Sequence, residues 1–288
     1  MTYKNGNTIV KIEKDGTKIR YTPDGQEPRP EFPESIDIKI TNRCDIGCPM
    51  CHEMSVPGGP FGNLNHPLLD SMPAEVELSI GGGNPLFHPQ LMTFLKRMKE
   101  RGVICNLTVH HTHFVTCCNI LKRWQEEGLI HGLGVSANGI LYSDVLDVMR
   151  DWPNLVVHTI AGLATPEILK QFEGMNLLIL GYKIFGRGLE YFEEKDEDIS
   201  DNIEKLSESI LELIPRYKAV CFDNLAVKQL RLKEKLSPEK WNKFYMGDDG
   251  EFTMYVDLVK EEYAKSSTSI RKKIDSADIR QLFKQIRS

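Results

Sequence analysis

Short apolar runs alternate with longer amphipathic segments between residues 34 and 222. Short runs of β-branched and aliphatic residues are typical of buried strands, whereas apolar positions spaced three and four residues apart are typical of helices. The predicted strands are Ile36–Ile40, Val76–Ile80, Val103–Val109, Ile130–Val135, Leu155–Ile160 and Leu177–Leu180. The predicted helices are Pro89–Arg101, Phe114–Glu127, Ile140–Arg150, Pro166–Phe172 and Ile199–Ile214. Strands that alternate with helices indicate βαβ units, a parallel sheet and the α/β class.

Different patterns flank this central part. Residues 8–22 predict a β-hairpin around an Asp15-Gly16 turn, and a proline-rich linker then extends to Pro33. The later elements are a seventh strand at Ala219–Phe222, helices near Pro238–Tyr245 and Asp275–Ile286, and a strand at Phe252–Val256. The expected domains are the hairpin and linker at 1–33, a central domain at 34–222 and a C-terminal cap at 223–288.

The composition is ordinary for a soluble globular protein, with 41% hydrophobic and 27% charged residues. The net charge of -5 argues against nucleic acid as the main partner, because phosphate binding requires a concentrated positive surface. The polar N-terminus predicts no signal peptide, and the apolar runs are too short to span a bilayer. The odd number of cysteines, seven, fits a reducing cytoplasm better than a secreted disulfide scaffold.

Cys44, Cys48 and Cys51 lie in one loop shortly after the first central strand, with the spacing C-x3-C-x2-C. Three thiolates can bind three irons of a four-iron four-sulfur cluster and leave the fourth iron open to another ligand. A structural zinc site is an alternative, with His52 as a further ligand, although zinc usually takes four ligands. Three free thiols are another alternative.

This spacing resembles the signature of the radical S-adenosylmethionine (SAM) enzymes. The segment Gly81-Gly82-Gly83-Asn84-Pro85 resembles the family's GGE motif, which receives the amino group of SAM, with Asn84 in place of glutamate. The resemblance implies that the carbonyls of Gly81, Gly82 and Gly83, or the Asn84 side chain, accept this ammonium group. A glycine-rich turn of purely conformational use is the alternative.

Further positions resemble SAM-binding motifs of the same family. Ser136 and, as a second candidate, Asn138 follow the fourth strand, where the family binds the ribose and the carboxylate of SAM. Asn138 can equally cap the next helix. Ile160 and Gly162 match part of the motif beside the adenine, and Met50 replaces a common aromatic residue before the third cysteine. A thioether can also pack on an adenine face.

Candidates for the substrate side are weaker. His111 and His113 follow the third strand together with His110, and such a group can transfer protons. Lys183 and Arg187 follow the sixth strand and can bind a carboxylate or a phosphate, although surface charges are the alternative.

The resemblance implies a partial (β/α)6 barrel with an N-terminal β-hairpin and a C-terminal α/β extension. It implies an oxygen-sensitive enzyme that uses one 4Fe-4S cluster to cleave SAM reductively, and the resulting 5′-deoxyadenosyl radical abstracts a hydrogen atom from a substrate. Flavodoxin or ferredoxin is the implied electron donor. The favoured substrate is a peptide or protein, and the alternative substrate is a small metabolite or a nucleotide. The alternative to an enzyme is a non-catalytic metal-binding module.

Residues 223–288 contain no cysteine, so we expect no second cluster in this part of the chain. We therefore expect a cap beside the barrel mouth that serves substrate binding. Deletion of residues 238–288 is then expected to abolish turnover but to leave cluster assembly intact.

Overall fold

The computed structural model describes residues 1–13 and 17–287 and begins with a small antiparallel sheet. Its strands are β1 (Thr2–Asn5), β2 (Thr8–Ile12) and β3 (Lys18–Tyr21). β2 and β3 pair as the hairpin prediction requires, whereas the Asp15-Gly16 turn lies outside the described residues. β1 was not predicted, because its four residues, Thr-Tyr-Lys-Asn, lack an alternating apolar pattern.

A second, mostly parallel sheet forms the centre of the fold. Its first seven strands are β4 (Ser35–Thr41), β5 (Glu77–Gly82), β6 (Ile104–His110), β7 (Gly132–Ser136), β8 (Leu155–Ile160), β9 (Asn176–Leu180) and β10 (Ala219–Phe222). The last three are β11 (Thr253–Asp257), β12 (Glu262–Ala264) and β13 (Lys272–Lys273). The order across the sheet is β10-β9-β8-β7-β6-β5-β4-β11-β12-β13. All the predicted central strands are therefore present, in chain order.

The predicted partial (β/α)6 barrel is not confirmed. Within the described residues the sheet is open, with β10 and β13 at its edges, and no pairing closes it into a barrel. The strand predicted at Phe252–Val256 was assigned to a C-terminal extension. It forms β11, which instead belongs to the central sheet and pairs in parallel with β4. This pairing joins segments that are far apart in the chain, so no local pattern predicts it.

α-Helices connect the parallel strands from β5 to β11, and one further helix follows β13. They are α1 (Leu91–Glu100), α2 (His111–Glu126), α3 (Ser143–Arg150), α4 (Pro166–Leu169), α5 (Arg187–Leu213), α6 (Asn224–Gln229), α7 (Leu232–Lys235), α8 (Pro238–Phe244) and α9 (Ile279–Arg287). Several boundaries differ from prediction: α2 starts three residues before Phe114, α3 starts three residues after Ile140, and α4 ends three residues before Phe172. The largest difference is at α5, which starts twelve residues before Ile199. In the described part of the chain, no helix is long and apolar enough to cross a membrane.

The two faces of the central strands have different chemistry. Ile36 and Ile38 of β4 are fully buried and belong to the same core as Phe94 of α1 and Phe114 of α2. Asp37, which lies between them, faces the opposite side of the sheet, where it is beside Ser79 of β5 and is exposed. Strands covered on both faces are nearly continuous in apolar residues. The helices therefore cover the apolar face, and the polar face stays more open.

The inclusion of β11 in the sheet is testable through two methionines. Met254 of β11 is 1% exposed in the main core, whereas Met246 lies before the strand and is 43% exposed. Met254→Ala should lower the free energy of unfolding by about 2–5 kcal/mol, because it leaves a buried cavity. Met246→Ala should change it by no more than about 0.5 kcal/mol. Urea denaturation measures both, and equal small effects would place β11 outside the core.

Candidate functional site

The predicted site residues lie at the carboxyl ends of the parallel strands. The cysteine loop, residues 42–56, follows β4, and Gly81 lies near the end of β5. Ser136 ends β7, Ile160 ends β8, and Lys183 follows β9. This edge is where parallel α/β sheets usually bind their ligands. The topology thus brings residues from distant parts of the chain to one edge.

Backbone hydrogen bonds close the cysteine loop at its base. The Cys44 N–H donates to the Val56 carbonyl over 3.0 Å, and the Val56 N–H donates to the Asn42 carbonyl over 3.0 Å. The Cys51 N–H donates to the Cys48 carbonyl over 3.2 Å. The loop therefore has a defined fold in which the first cysteine is held at the end of β4.

Arg187 holds the same loop from the start of α5. Its Nε donates to the Cys48 carbonyl over 3.2 Å, and a terminal nitrogen donates to the Ser55 carbonyl over 3.0 Å. The sequence suggested a carboxylate or phosphate partner for this guanidinium. In the structure it binds backbone carbonyls and joins the end of β9 to the cysteine loop.

The three thiols are free, and each is partly buried. Burial raises the pKa values of Cys44 and Cys48, and repulsion from a Cys51 thiolate raises both further. Cys51 therefore acts electrostatically on both of the other thiols, and bound metal would favour the thiolate forms.

Among residues 1–13 and 17–287, no group of three or more His, Cys, Asp or Glu side chains is placed to bind one metal ion. His52, the candidate fourth zinc ligand, instead has its Nε2 3.4 Å from Glu53 Oε1. Ligands of a single zinc ion converge to about 2.0–2.3 Å from it. In a cluster each thiolate binds a different iron, so three spaced thiols in one loop fit a cluster.

The glycines at the end of β5 have two different roles. Gly82 has a φ of +114°, and a Cβ there would lie 2.4 Å from the Thr41 carbonyl oxygen. A Cβ on Gly83 would lie 2.3 Å from the Arg43 carbonyl oxygen. A Cβ on Gly81 would have no other atom within 4 Å. Close packing on the end of β4 thus explains Gly82 and Gly83, whereas Gly81 borders open space.

Asn84 caps a short 3-10 helix at Pro85–Phe87. Its Oδ1 accepts a hydrogen bond from the Leu86 N–H over 3.1 Å, and its own N–H donates to the Arg43 carbonyl over 2.7 Å. The side chain is 2% exposed. An asparagine directly before a proline fits a helix start, so the sequence contained a signal for this cap.

Asn138 and Gly162 also have structural partners. Asn138 Oδ1 accepts a hydrogen bond from the Ile160 N–H over 2.8 Å and so connects the ends of β7 and β8. It does not cap α3, whose N-cap residue is Tyr142. A Cβ on Gly162 would lie 2.8 Å from the Ile199 side chain of α5. Both residues shape the sheet edge by these contacts.

The histidines lie at the start of α2, beside the cysteine loop. His113 Nε2 is 2.7 Å from Asp45 Oδ1, and His111 Nδ1 is 3.3 Å from the Ser136 carbonyl oxygen. Burial lowers the pKa of His110 to about 4 and also lowers the pKa of His111. The contact between Asp45 and His113 spans 68 residues of sequence, so pattern analysis could not find it.

A recess opens between the cysteine loop and the ends of β8 and β9. Its lining residues are Met50, His52, Ile160, Leu180, Gly181, Tyr182 and Lys183. Lys183 Nζ donates to Ser267 Oγ over 2.9 Å, which brings the C-terminal part of the chain to the recess. The recess combines an apolar wall, formed in part by Met50 and Ile160, with a positively charged side.

Buried charges behind the cysteine loop were missed by sequence analysis. Lys39 of β4 is 3% exposed and lies 2.5 Å from Glu53 Oε2 and 3.6 Å from Asp257 Oδ2. Burial alone would raise the pKa of Glu53, but its hydrogen bond to His52 and the charge of Lys39 outweigh burial and lower it. A lysine within the apolar run of β4 was the one available signal.

No family model and no curated protein match this chain. Its structure is similar to a crystal structure of Streptococcus suis SuiB bound to precursor peptide SuiA, with a TM-score of 0.55 and 11% identity over 88% of this chain and 65% of that one. For SuiB bound to S-adenosylmethionine the TM-score is 0.53 and the identity 12%, over 88% and 64%. The chain thus spans slightly less than two thirds of SuiB, and the similarity is one of fold.

The two roles of the β5 glycines predict opposite effects of alanine. Gly82→Ala should lower the free energy of unfolding by about 1–3 kcal/mol, because the new methyl group strains the backbone. Gly81→Ala should leave it unchanged or raise it by up to about 1 kcal/mol. The measurement is urea denaturation of both variants. A stable Gly82→Ala protein would show that the ends of β4 and β5 do not pack this closely.

Proposed function

We propose that this protein is a radical SAM enzyme. The observation that carries the proposal is the set of three free thiols, with the spacing C-x3-C-x2-C, in the loop after β4. The fold supports it, because the SuiB fold, which this structure resembles, has been crystallised with SAM. When bound, a 4Fe-4S cluster would supply the electron that cleaves SAM into methionine and a 5′-deoxyadenosyl radical.

The cluster would be bound by Cys44, Cys48 and Cys51. The hydrogen bond from the Cys44 N–H and the two from Arg187 would keep the loop in place before the metal arrives. A loop that is ordered in advance loses less conformational entropy on binding. Flavodoxin or ferredoxin would be the electron donor, in an oxygen-sensitive cytoplasmic protein.

SAM would lie between Gly81 and the recess. The carbonyl groups at the β5 end would accept its ammonium, since the Asn84 side chain is buried and its Oδ1 caps a helix. Met50 and Ile160 would pack on the adenine, and Ser136 at the end of β7 would face the ribose or the carboxylate. Asn138 and Gly162 would contribute indirectly, by shaping the ends of β7 and β8.

A peptide is the substrate class we favour. Apolar side chains are exposed in the segments that follow several parallel strands, including Met54, Phe87, Tyr142 and Phe185. Where exposed apolar groups form a contiguous patch, they are typical of surfaces that bind macromolecules, and these four side chains would contribute to such a patch. The crystal structure of SuiB with a precursor peptide supports the same class. His111, His113 and Lys183 are the candidate residues for proton transfer or for binding a substrate anion.

Metal analysis of cysteine variants tests the cluster. Protein prepared without oxygen should contain about four irons per chain and as much sulfide. Cys48→Ala should lose nearly all of this iron, because one of three ligands is missing. Cys117→Ala on α2 is the control and should retain it. Colourless wild-type protein with bound zinc would instead support the non-catalytic module, and full iron content in Cys48→Ala would exclude this ligand set.

A valine at position 81 tests the placement of SAM. The space beside Gly81 is open, so Gly81→Val should fold and keep the cluster but place methyl groups where SAM is expected. Reduced Gly81→Val protein should release 5′-deoxyadenosine from SAM at least about tenfold more slowly than wild type. Gly58→Val, at another open position, is the control. Normal release by Gly81→Val would show that SAM binds elsewhere.

A further inference from the structure

We infer that Tyr255, Asp257 and Arg271 are positioning residues for the cysteine loop, and that they act through Glu53. The inference concerns the loop before metal binding, and its consequence for the cluster rests on the function proposed above. It assigns to the C-terminal part of the chain a role in completing the metal site.

Glu53 is the point where this network contacts the loop. It follows Cys51 by two residues, and its side chain is 10% exposed. Its Oε2 lies 2.5 Å from Lys39 Nζ, and its Oε1 accepts a hydrogen bond from the Tyr255 hydroxyl over 3.0 Å. The Arg271 guanidinium is 4.0 Å from the same Oε1. Side chains from β4, β11 and the segment before β13 therefore bind one carboxylate.

Asp257 and Arg271 hold these partners in place. Asp257 is fully buried, and its Oδ2 lies 2.8 Å from a terminal nitrogen of Arg271 and 3.6 Å from Lys39 Nζ. The Arg271 guanidinium also lies 4.7 Å from the ring centre of Tyr255. Glu262 lies 4.0 Å from Arg271 and pairs with Lys273 over 3.0 Å, so three carboxylates and three cations balance in charge. Removal of one member leaves a buried charge without its partner, which is costly in a low-dielectric environment.

This arrangement links the C-terminal segment to the geometry of the thiols. Backbone hydrogen bonds fix the base of the loop at Cys44, and Arg187 and the Glu53 side chain together hold the part that follows Cys51. His52, between Cys51 and Glu53, lines the recess. Loss of the contacts of Glu53 would leave this part of the loop held by Arg187 alone among the side chains of the network, and would loosen both Cys51 and the wall of the recess. We therefore expect that deletion of residues 238–288 would impair cluster assembly, whereas the sequence alone led us to expect that assembly would stay intact.

Thiol reactivity of the metal-free protein tests the inference. The test variants are Tyr255→Phe and Arg271→Gln. The matched controls are Tyr263→Phe, whose hydroxyl binds Gln285, and Arg216→Gln, whose ion pair with Glu173 is exposed. Alkylation by iodoacetamide, followed by mass spectrometry at Cys51, should be about tenfold faster in the test variants, the factor expected for one lost hydrogen bond to a charged group. Cys117 in the same molecules is the internal reference and should react at the wild-type rate.

A second measurement uses reconstituted protein. Tyr255→Phe should bind the cluster but show an altered electron paramagnetic resonance spectrum after reduction and faster loss of iron to a chelator. Arg271→Lys, which retains the charge, should fall between wild type and Arg271→Gln. Unchanged alkylation of Cys51 in folded Tyr255→Phe would overturn the inference, even if Arg271→Gln failed to fold. Wild-type protein without a cluster would refute the proposed function, while the alkylation result would still decide the positioning role.

Discussion

The position of β4 between β5 and β11 is the constraint on which the site depends. On one side, the end of β5 approaches β4 so closely that only glycine fits at positions 82 and 83. On the other side, β11 brings Tyr255 and Asp257 toward Lys39. The cysteine loop starts where β4 ends, so both neighbours determine where it leaves the sheet. Parallel pairing places all three carboxyl ends at one edge.

Lys39 favours one register of β11 and one conformation of the cysteine loop, in addition to stabilising both. A buried ammonium group is tolerated only with paired anions, and Glu53 and Asp257 supply them from two other parts of the chain. When β11 pairs with β4 in the observed register, Asp257 lies beside Lys39. When the cysteine loop folds back over the strand end, Glu53 also lies beside Lys39. Charge balance therefore couples the register of β11 to the conformation of the loop. Apolar packing alone would allow small shifts of either element.

Much of the fold could be predicted because its central strands carry a local signal. For example, the strand predicted at Ile36–Ile40 is observed as Ser35–Thr41. The predicted central strands also lie next to one another in the sheet in the order in which they follow along the chain. The loop after β4 was placed correctly at the strand end for the same reason. Strand pairing between distant segments leaves no such signal, so the place of β11 was missed. The hydrogen bond between Tyr255 and Glu53 joins residues 202 positions apart and was equally inaccessible.

The glycine motif shows why a sequence match does not by itself assign a ligand. Gly81, Gly82 and Gly83 look equivalent in the sequence, yet only Gly81 faces open space. Asn84 stands where radical SAM enzymes have a glutamate, and here its oxygen accepts the hydrogen bond that caps a 3-10 helix. In the proposed site, the ammonium of SAM would therefore be recognised mainly by backbone carbonyls. Such recognition depends on the path of β5 rather than on a side chain, and that path is set by its close packing on β4.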